Sequence, residues 1–210
     1  MIDIKICGLS TRETVDAAID AGATHLGFVF FASSPRNLEP NQAIALGSGL
    51  PEHITRVGVF VDPDDALLDS VITSLDTIQL HGDESVDRVA EIRSRYGRPI
   101  WRAAGVATRG DIARAITSAG VADRLLFDAK APSGALLPGG NGLRFDWRLL
   151  GGVDFGRQWA LSGGLDAATV GNAVRAANPP LVDVSSGVED ESGVKSVAKI
   201  KAFIAAARAA

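Results

Sequence analysis

Residues 2–22 read IDIKICGLSTRETVDAAIDAG and set out one complete structural unit. Ile2, Ile4 and Ile6 alternate with Asp3, Lys5 and Cys7, the period of two that puts one set on each face of a strand. Gly8 then gives the chain room to turn. Ser10, with Glu13 three positions on, has the spacing of a capping box; Val15, Ala18 and Ile19 form a helical apolar stripe, and Gly22 stops it.

The same unit recurs to the C-terminus. HLGFVFF (25–31) is followed by the loop ASSPRNLEP and a short helix through Ile44 and Leu46. TRVGVFV (55–61) is followed by Asp62 and Pro63, suited to an N-cap and first helical position, and by a face of Leu67, Leu68, Val71 and Ile72. DTIQLHG (76–82) leads into a helix predicted from about Glu84 to Tyr96, and PIWRAAG (99–105) into one capped by Thr108 and Asp111. RLLFDAK (124–130), QWALSGG (158–164) with a helix over Asp166–Ala177, and PLVDVSSG (180–187) with a terminal helix carrying Val194, Val197, Ile200 and Ile204 complete the series.

Eight β-rich runs alternating with helices require parallel strands joined by crossovers. That count favours an α/β fold of one closed (β/α)8 TIM barrel over the alternative, a doubly wound open sheet. At 210 residues the chain is near the short end for such barrels, so residues 1–210 read as a single domain. The exception to its economy is the long connection over 129–157, rich in glycine and proline, with a brief helix at DWRLL. It leaves the C-terminal end of the sixth strand, the face on which barrel active sites form, and reads as a candidate lid.

A net charge of −4 without a basic run disfavours nucleic acid as a partner but leaves room for a small anion. The single cysteine forms no internal disulfide, and no uninterrupted apolar run suits a signal peptide or membrane span; a cytoplasmic protein without membrane contact is expected. His25, His53 and His81 lie in no metal-ligand spacing, so no metal is expected. The absence of an obvious apolar patch in the sequence favours a monomer over a homodimer.

Because helices must pack on an apolar surface, Ile2, Ile4 and Ile6 are predicted to face outward and Cys7 to point into the barrel mouth. Lys5, on the same face one layer lower, either lowers the thiol pKa or pairs with Asp3 or another interior carboxylate. Both readings stay open here. By the same alternation Leu125 and Phe127 face out and Asp128 faces in, across the mouth from Cys7, an arrangement suited to a base and an acid on opposite sides of a substrate. Gly163 and Gly164 after strand seven, with Ser186 and Gly187 after strand eight, occupy the two adjacent loops that cradle phosphate in barrels. Arg36, following Pro35 in the second loop, is placed to grip a carboxylate, and His81 and Asp183 are candidates for polar contacts with the substrate. Proton transfer on a small phosphorylated molecule is the leading reaction class.

Read together, KICGL, GFVF with SPR, VGVF, QLHGDE, FDAK, FDW, LSGGL and VDVSSGVE stand in an order that resembles the phosphoribosylanthranilate isomerase family, over nearly the whole chain. The resemblance implies a ribulose-phosphate-binding barrel performing a cofactor-free Amadori rearrangement of N-(5-phosphoribosyl)anthranilate in tryptophan biosynthesis. It also implies Cys7 as general base, Asp128 as general acid, Arg36 on the anthranilate carboxylate and the glycine loops on the phosphate. Two alternatives are a related or bifunctional sugar-phosphate isomerase of histidine biosynthesis and a noncatalytic phosphometabolite-binding barrel. The first would carry aspartates on strands one and five, where this chain has Cys7 and RAAG.

Overall fold

A computed structural model describes residues 2–135 and 137–210; Met1 and, within the long loop, Leu136 lie outside the described residues. Eight parallel strands close a barrel in sequence order: β1 (Asp3–Cys7), β2 (His25–Phe30), β3 (Thr55–Phe60), β4 (Thr77–Leu80), β5 (Ile100–Val106), β6 (Arg124–Ala129), β7 (Gln158–Leu161) and β8 (Leu181–Val184). The seam is β1 against β8, with Lys5 opposite Asp183, and on its other edge Cys7 of β1 lies opposite Gly27 of β2.

The outer ring consists of α1 (Arg12–Ala21), α2 (Pro40–Gly47), α3 (Asp65–Val71), α4 (Val86–Tyr96), α5 (Arg109–Thr117), α6 (Val170–Ala177) and α7 (Val197–Arg208). Between β6 and β7 the described chain has no α-helix, only a 3-10 turn at Trp147–Leu150, where the DWRLL helix was expected. An antiparallel hairpin, β9 (Glu189–Glu191) and β10 (Val194–Lys195), separates β8 from α7.

The period-two pattern divides the core as expected. Ile4, Ile6, Leu26, Phe28, Leu125 and Phe127 join the layer between strands and helices, with Ile2 packed at its edge. Cys7, Val57, Val59, Trp101, Leu126, Ala160 and Leu181 fill the barrel interior. Burying such side chains supplies about 1.5–3 kcal/mol each and fixes which face of every strand looks inward.

Several helix starts differ from expectation. The cap of α1 is Thr11, whose hydroxyl accepts from Thr14 N at 3.3 Å, rather than Ser10. The N–H groups of Gly8 and Leu9 are still held by the Gly27 carbonyl, so the chain leaves the strand late. Asp64, not Asp62, caps α3, because Asp62 is turned to φ +45° with its N–H on Glu84 and its carboxylate on Asp83 N. Glu84 correspondingly stays out of α4, which Ser85 caps. Residues 166–169 form a turn of reciprocal Asp166 and Thr169 hydrogen bonds ahead of α6, and Val194 belongs to β10 rather than to the terminal helix.

Candidate active site

The C-terminal ends of the strands surround one pocket that both Cys7 and Asp128 line, together with Arg36, His81, Asp183 and Ser186. Each arrives there for a local reason. Cys7 is the last residue of β1, and Gly8, at φ +77°, turns the chain immediately afterwards. Asp128 is the penultimate residue of β6, and its Oδ1 accepts from Ala129 N at 2.7 Å.

Of the two readings of Lys5, the structure realises an ion pair with an interior carboxylate: Nζ lies 2.9 Å from Asp183 Oδ1, and Lys5 is wholly buried. Burial opposes the Lys5 charge, yet Asp183, assisted by Cys7, holds the ammonium above its ordinary pKa. Burial dominates at Cys7 and pushes the thiol up; Lys5 works against that shift without reversing it. Asp183 is therefore committed to Lys5 while still forming part of the pocket wall. The thiol is crowded against the neighbouring strand. A Cβ on Gly27 would stand 2.8 Å from Cys7 Sγ and 3.1 Å from Lys5 Nζ, so this cluster fits only where β2 carries no side chain. Gly27 escaped the sequence reading; its signal was an isolated glycine inside a strand.

On the opposite wall Asp128 Oδ2 and His81 Nε2 are 3.6 Å apart, and His81 Nδ1 is 3.2 Å from Gln79 Nε2. Gln79 is buried with its Oε1 unpartnered, a second pocket residue missed from sequence. It sits one inward position below His81 in the same QLHG run, so period-two alternation would have found it.

Arg36 is 5% exposed and held edge-on by Glu189, with Nε to Oε1 at 2.7 Å and Nη2 to Oε2 at 2.8 Å. Sequence reasoning placed Arg36 correctly at the pocket but missed this partner, 153 residues away on the hairpin. Glu189 stays below the usual carboxylate range despite its burial, because Arg36 and Lys195 both bind it.

Gly163 and Gly164 adopt left-handed φ values of +89° and +63°, and their N–H groups, with that of Gly187, make no backbone hydrogen bond among the described residues. Gly163, Gly164 and Ser186 line the pocket, whereas Gly187 lies directly behind, packed under the Leu165 carbonyl. Free N–H groups at two adjacent loops form an anion cradle. The long loop reaches over this wall. A Cβ on Gly139 would lie 2.6 Å from both Asp128 Oδ2 and His81 Nε2, and Arg144 binds Gly164 O at 2.8 Å and Asp166 at 2.6 Å.

The pocket thus offers a buried sulfur, a carboxyl on another strand end, one guanidinium nitrogen and a nest of amides, which suits proton transfer on a molecule anionic at both ends. Among the described residues no His, Cys, Asp and Glu side chains are grouped to hold a metal. No described helix is long and apolar enough to cross a membrane.

A family model described as N-(5'-phosphoribosyl)anthranilate (PRA) isomerase matches residues 4–206. The N-(5'-phosphoribosyl)anthranilate isomerase of Mesorhizobium japonicum is 50% identical, the match covering 100% of this chain and 96% of that protein. Among solved structures, phosphoribosyl anthranilate isomerase from Thermotoga maritima superposes with a TM-score of 0.89 at 36% identity, covering 100% of each chain. A phosphoribosyl anthranilate isomerase in complex with reduced 1-(o-carboxyphenylamino)-1-deoxyribulose 5-phosphate gives 0.84 at 32% identity, again over 100% of each chain.

Proposed function

Since the chain belongs to the N-(5'-phosphoribosyl)anthranilate isomerase family and is an isomerase of tryptophan biosynthesis, we propose that Cys7 and Asp128 are the base and acid of its Amadori rearrangement. The observation that carries this reading is that one pocket joins a strand-end thiol, a strand-end carboxyl, a buried arginine and two glycine loops.

In the derived sequence Arg36 takes the anthranilate carboxylate, and the amides at Gly163, Gly164 and Gly187, with Ser186, take the phosphate, so the ribose is stretched between the two walls. Asp128 gives its proton to the ring oxygen as the C1–O bond breaks and the nitrogen lone pair forms the iminium. Cys7, as thiolate, removes the proton from C2, and the C–H electrons become the C1–C2 double bond while the nitrogen returns to neutral. The resulting enaminol loses its hydroxyl proton and gains one at C1, leaving the 1-amino-1-deoxyketose. Fixing both ends supplies orientation, and each proton transfer by a placed group is worth about a hundred- to ten-thousandfold.

Burial disfavours the thiolate, so Lys5 beside it and the iminium formed at C1 have complementary tasks: one stabilises the base, the other acidifies C2. Asp128 takes up the acid role where His81 approaches it, and His81 and Gln79 are in place to contact ribose hydroxyls. Asp183 acts through Lys5. The segment 129–157 serves as the lid: Gly139 seats on Asp128 and His81, and Arg144 fastens it beside the glycine loop. A cytoplasmic setting is in keeping with its unpaired buried cysteine; sedimentation of the purified chain tests whether it is a monomer.

The decisive experiment follows anthranilate fluorescence with freshly made substrate. Cys7→Ala and Asp128→Asn are each expected to lower kcat at least about a hundredfold while binding of the reduced product persists. Unchanged kcat in either variant removes that residue from the scheme.

A further inference from the structure

A second cation stands behind Arg36, and none of the steps above uses it. Lys195, on β10, is 8% exposed. It faces Glu189 across the hairpin as its register partner, with Nζ 2.6 Å from Oε1. Its remaining donors go to Ser185 O at 2.9 Å and Ser185 Oγ at 3.2 Å. All three ammonium hydrogens are thereby engaged inside the protein, leaving none to reach a ligand.

Charge counting shows why such a group is there. Arg36 spends its Nε and Nη2 edge on Glu189, and Nη2 also meets Gly140 O at 3.3 Å, while Nη1 donates to none of the described residues. Arginine and glutamate together are neutral, and a neutral pair has little electrostatic means to draw a carboxylate out of water. Lys195 changes that balance. Two cations on one carboxylate leave one net positive charge, and the side-chain nitrogen of the trio without a partner among the described residues is Nη1 of Arg36, a residue of the pocket lining. Glu189 is simultaneously fixed from three sides: Arg36, Lys195, and Gly193 N, which donates to Oε2 at 3.2 Å. That grip holds the guanidinium plane in one orientation. Cys7 is the other ionisable group that senses Lys195, alongside Arg36 and Glu189.

We propose that Lys195 is a positioning residue for substrate specificity: through Glu189 it supplies the net positive charge, and the fixed orientation, with which Arg36 selects a ligand bearing an aromatic carboxylate. The proposal rests on the assignment of Arg36 to that carboxylate.

Two probes test it by calorimetry: the reduced product, and the same compound built on aniline, which lacks only the carboxylate. Lys195→Met and Lys195→Gln, the latter keeping a donor for Ser185, are expected to weaken the reduced product about tenfold and to leave the aniline compound unchanged. In turnover the loss should appear in KM more than in kcat. If both probes weaken alike, Lys195 only supports the fold and the proposal is overturned; if neither weakens, it is overturned as well. Arg36→Met separates the two assignments. Loss of the carboxylate preference there, with preference kept in the Lys195 variants, overturns the role of Lys195 alone. A preference that survives Arg36→Met sinks both.

Discussion

Adding one methyl group to Gly27 should slow the chemistry while leaving the ligand's anchors alone. The β2 backbone at Gly27 is in an ordinary strand conformation, so Gly27→Ala introduces crowding rather than backbone strain. The new Cβ would stand 2.8 Å from Cys7 Sγ and 3.0 Å from Cys7 Cα, with Lys5 Nζ at 3.1 Å. Ordinary contact begins at 3.4 Å, so the sulfur must withdraw by about 0.6 Å, and Lys5 yields little because Asp183 holds it at 2.9 Å. A full 1 Å displacement of a reacting group can cost about a hundredfold, so a little over half of that predicts roughly a tenfold fall in kcat. Overpacking of this kind also costs about 1–3 kcal/mol of stability. The atoms nearest the added methyl belong to Cys7 and Lys5 rather than to Arg36 or the glycine loops, so KM and binding of the reduced product should stay near wild type. The assay is steady-state anthranilate fluorescence with calorimetric binding and a urea titration in parallel. A variant that is destabilised yet keeps wild-type kcat would refute the reasoning, because the thiol would then have moved without consequence.

Other consequences follow from the buried charges. If Cys7 is the base, kcat/KM should climb with pH through neutrality into the alkaline range, since burial raises the thiol and only its deprotonated form works; a profile already level in mildly acidic buffer would contradict that. Lys5→Met leaves Asp183 buried without its cation and should cost about 3–5 kcal/mol in urea unfolding, most of it recovered in Lys5→Met/Asp183→Leu. His25, packed on Trp101 with its pKa lowered to about 3 by burial and by the Arg124 and Lys5 charges, stays neutral in the folded chain while the unfolded chain takes up a proton near 6.5. Stability present above pH 6.5 is therefore lost as pH falls toward 3, about 2 kcal/mol of it by pH 5, and His25→Gln should remove that part of the slope.

Much of the barrel was legible because its information is local. Strand alternation in IDIKIC and RLLFDAK sufficed to point Cys7 and Asp128 inward, and the glycine pair after β7 with the SSG turn after β8 marked the candidate anion loops. Helix starts were less legible where a capping residue had a competing use: Glu84 is buried and accepts from the N–H groups of Asp62 and Gly82, tying the β3 and β4 loops together, which no helix-start pattern registers. The β9–β10 hairpin was also missed, since its apolar Val194 falls in phase with the stripe of α7.

By itself the order of residues determined eight strands and the seven α-helices that follow all but the sixth, the face each strand turns inward, and hence which end of which strand carries a thiol, a carboxyl or an amide nest. Periodicity and punctuation act over a few residues, so they can be read without the rest of the chain. Who pairs with whom was decided only by closure of the barrel, which put Asp183 beside Lys5 and Glu189 beside Arg36 across 178 and 153 residues. The charge states depend on that closure too, because desolvation and ion pairing are properties of the volume around a group and not of its neighbours in sequence.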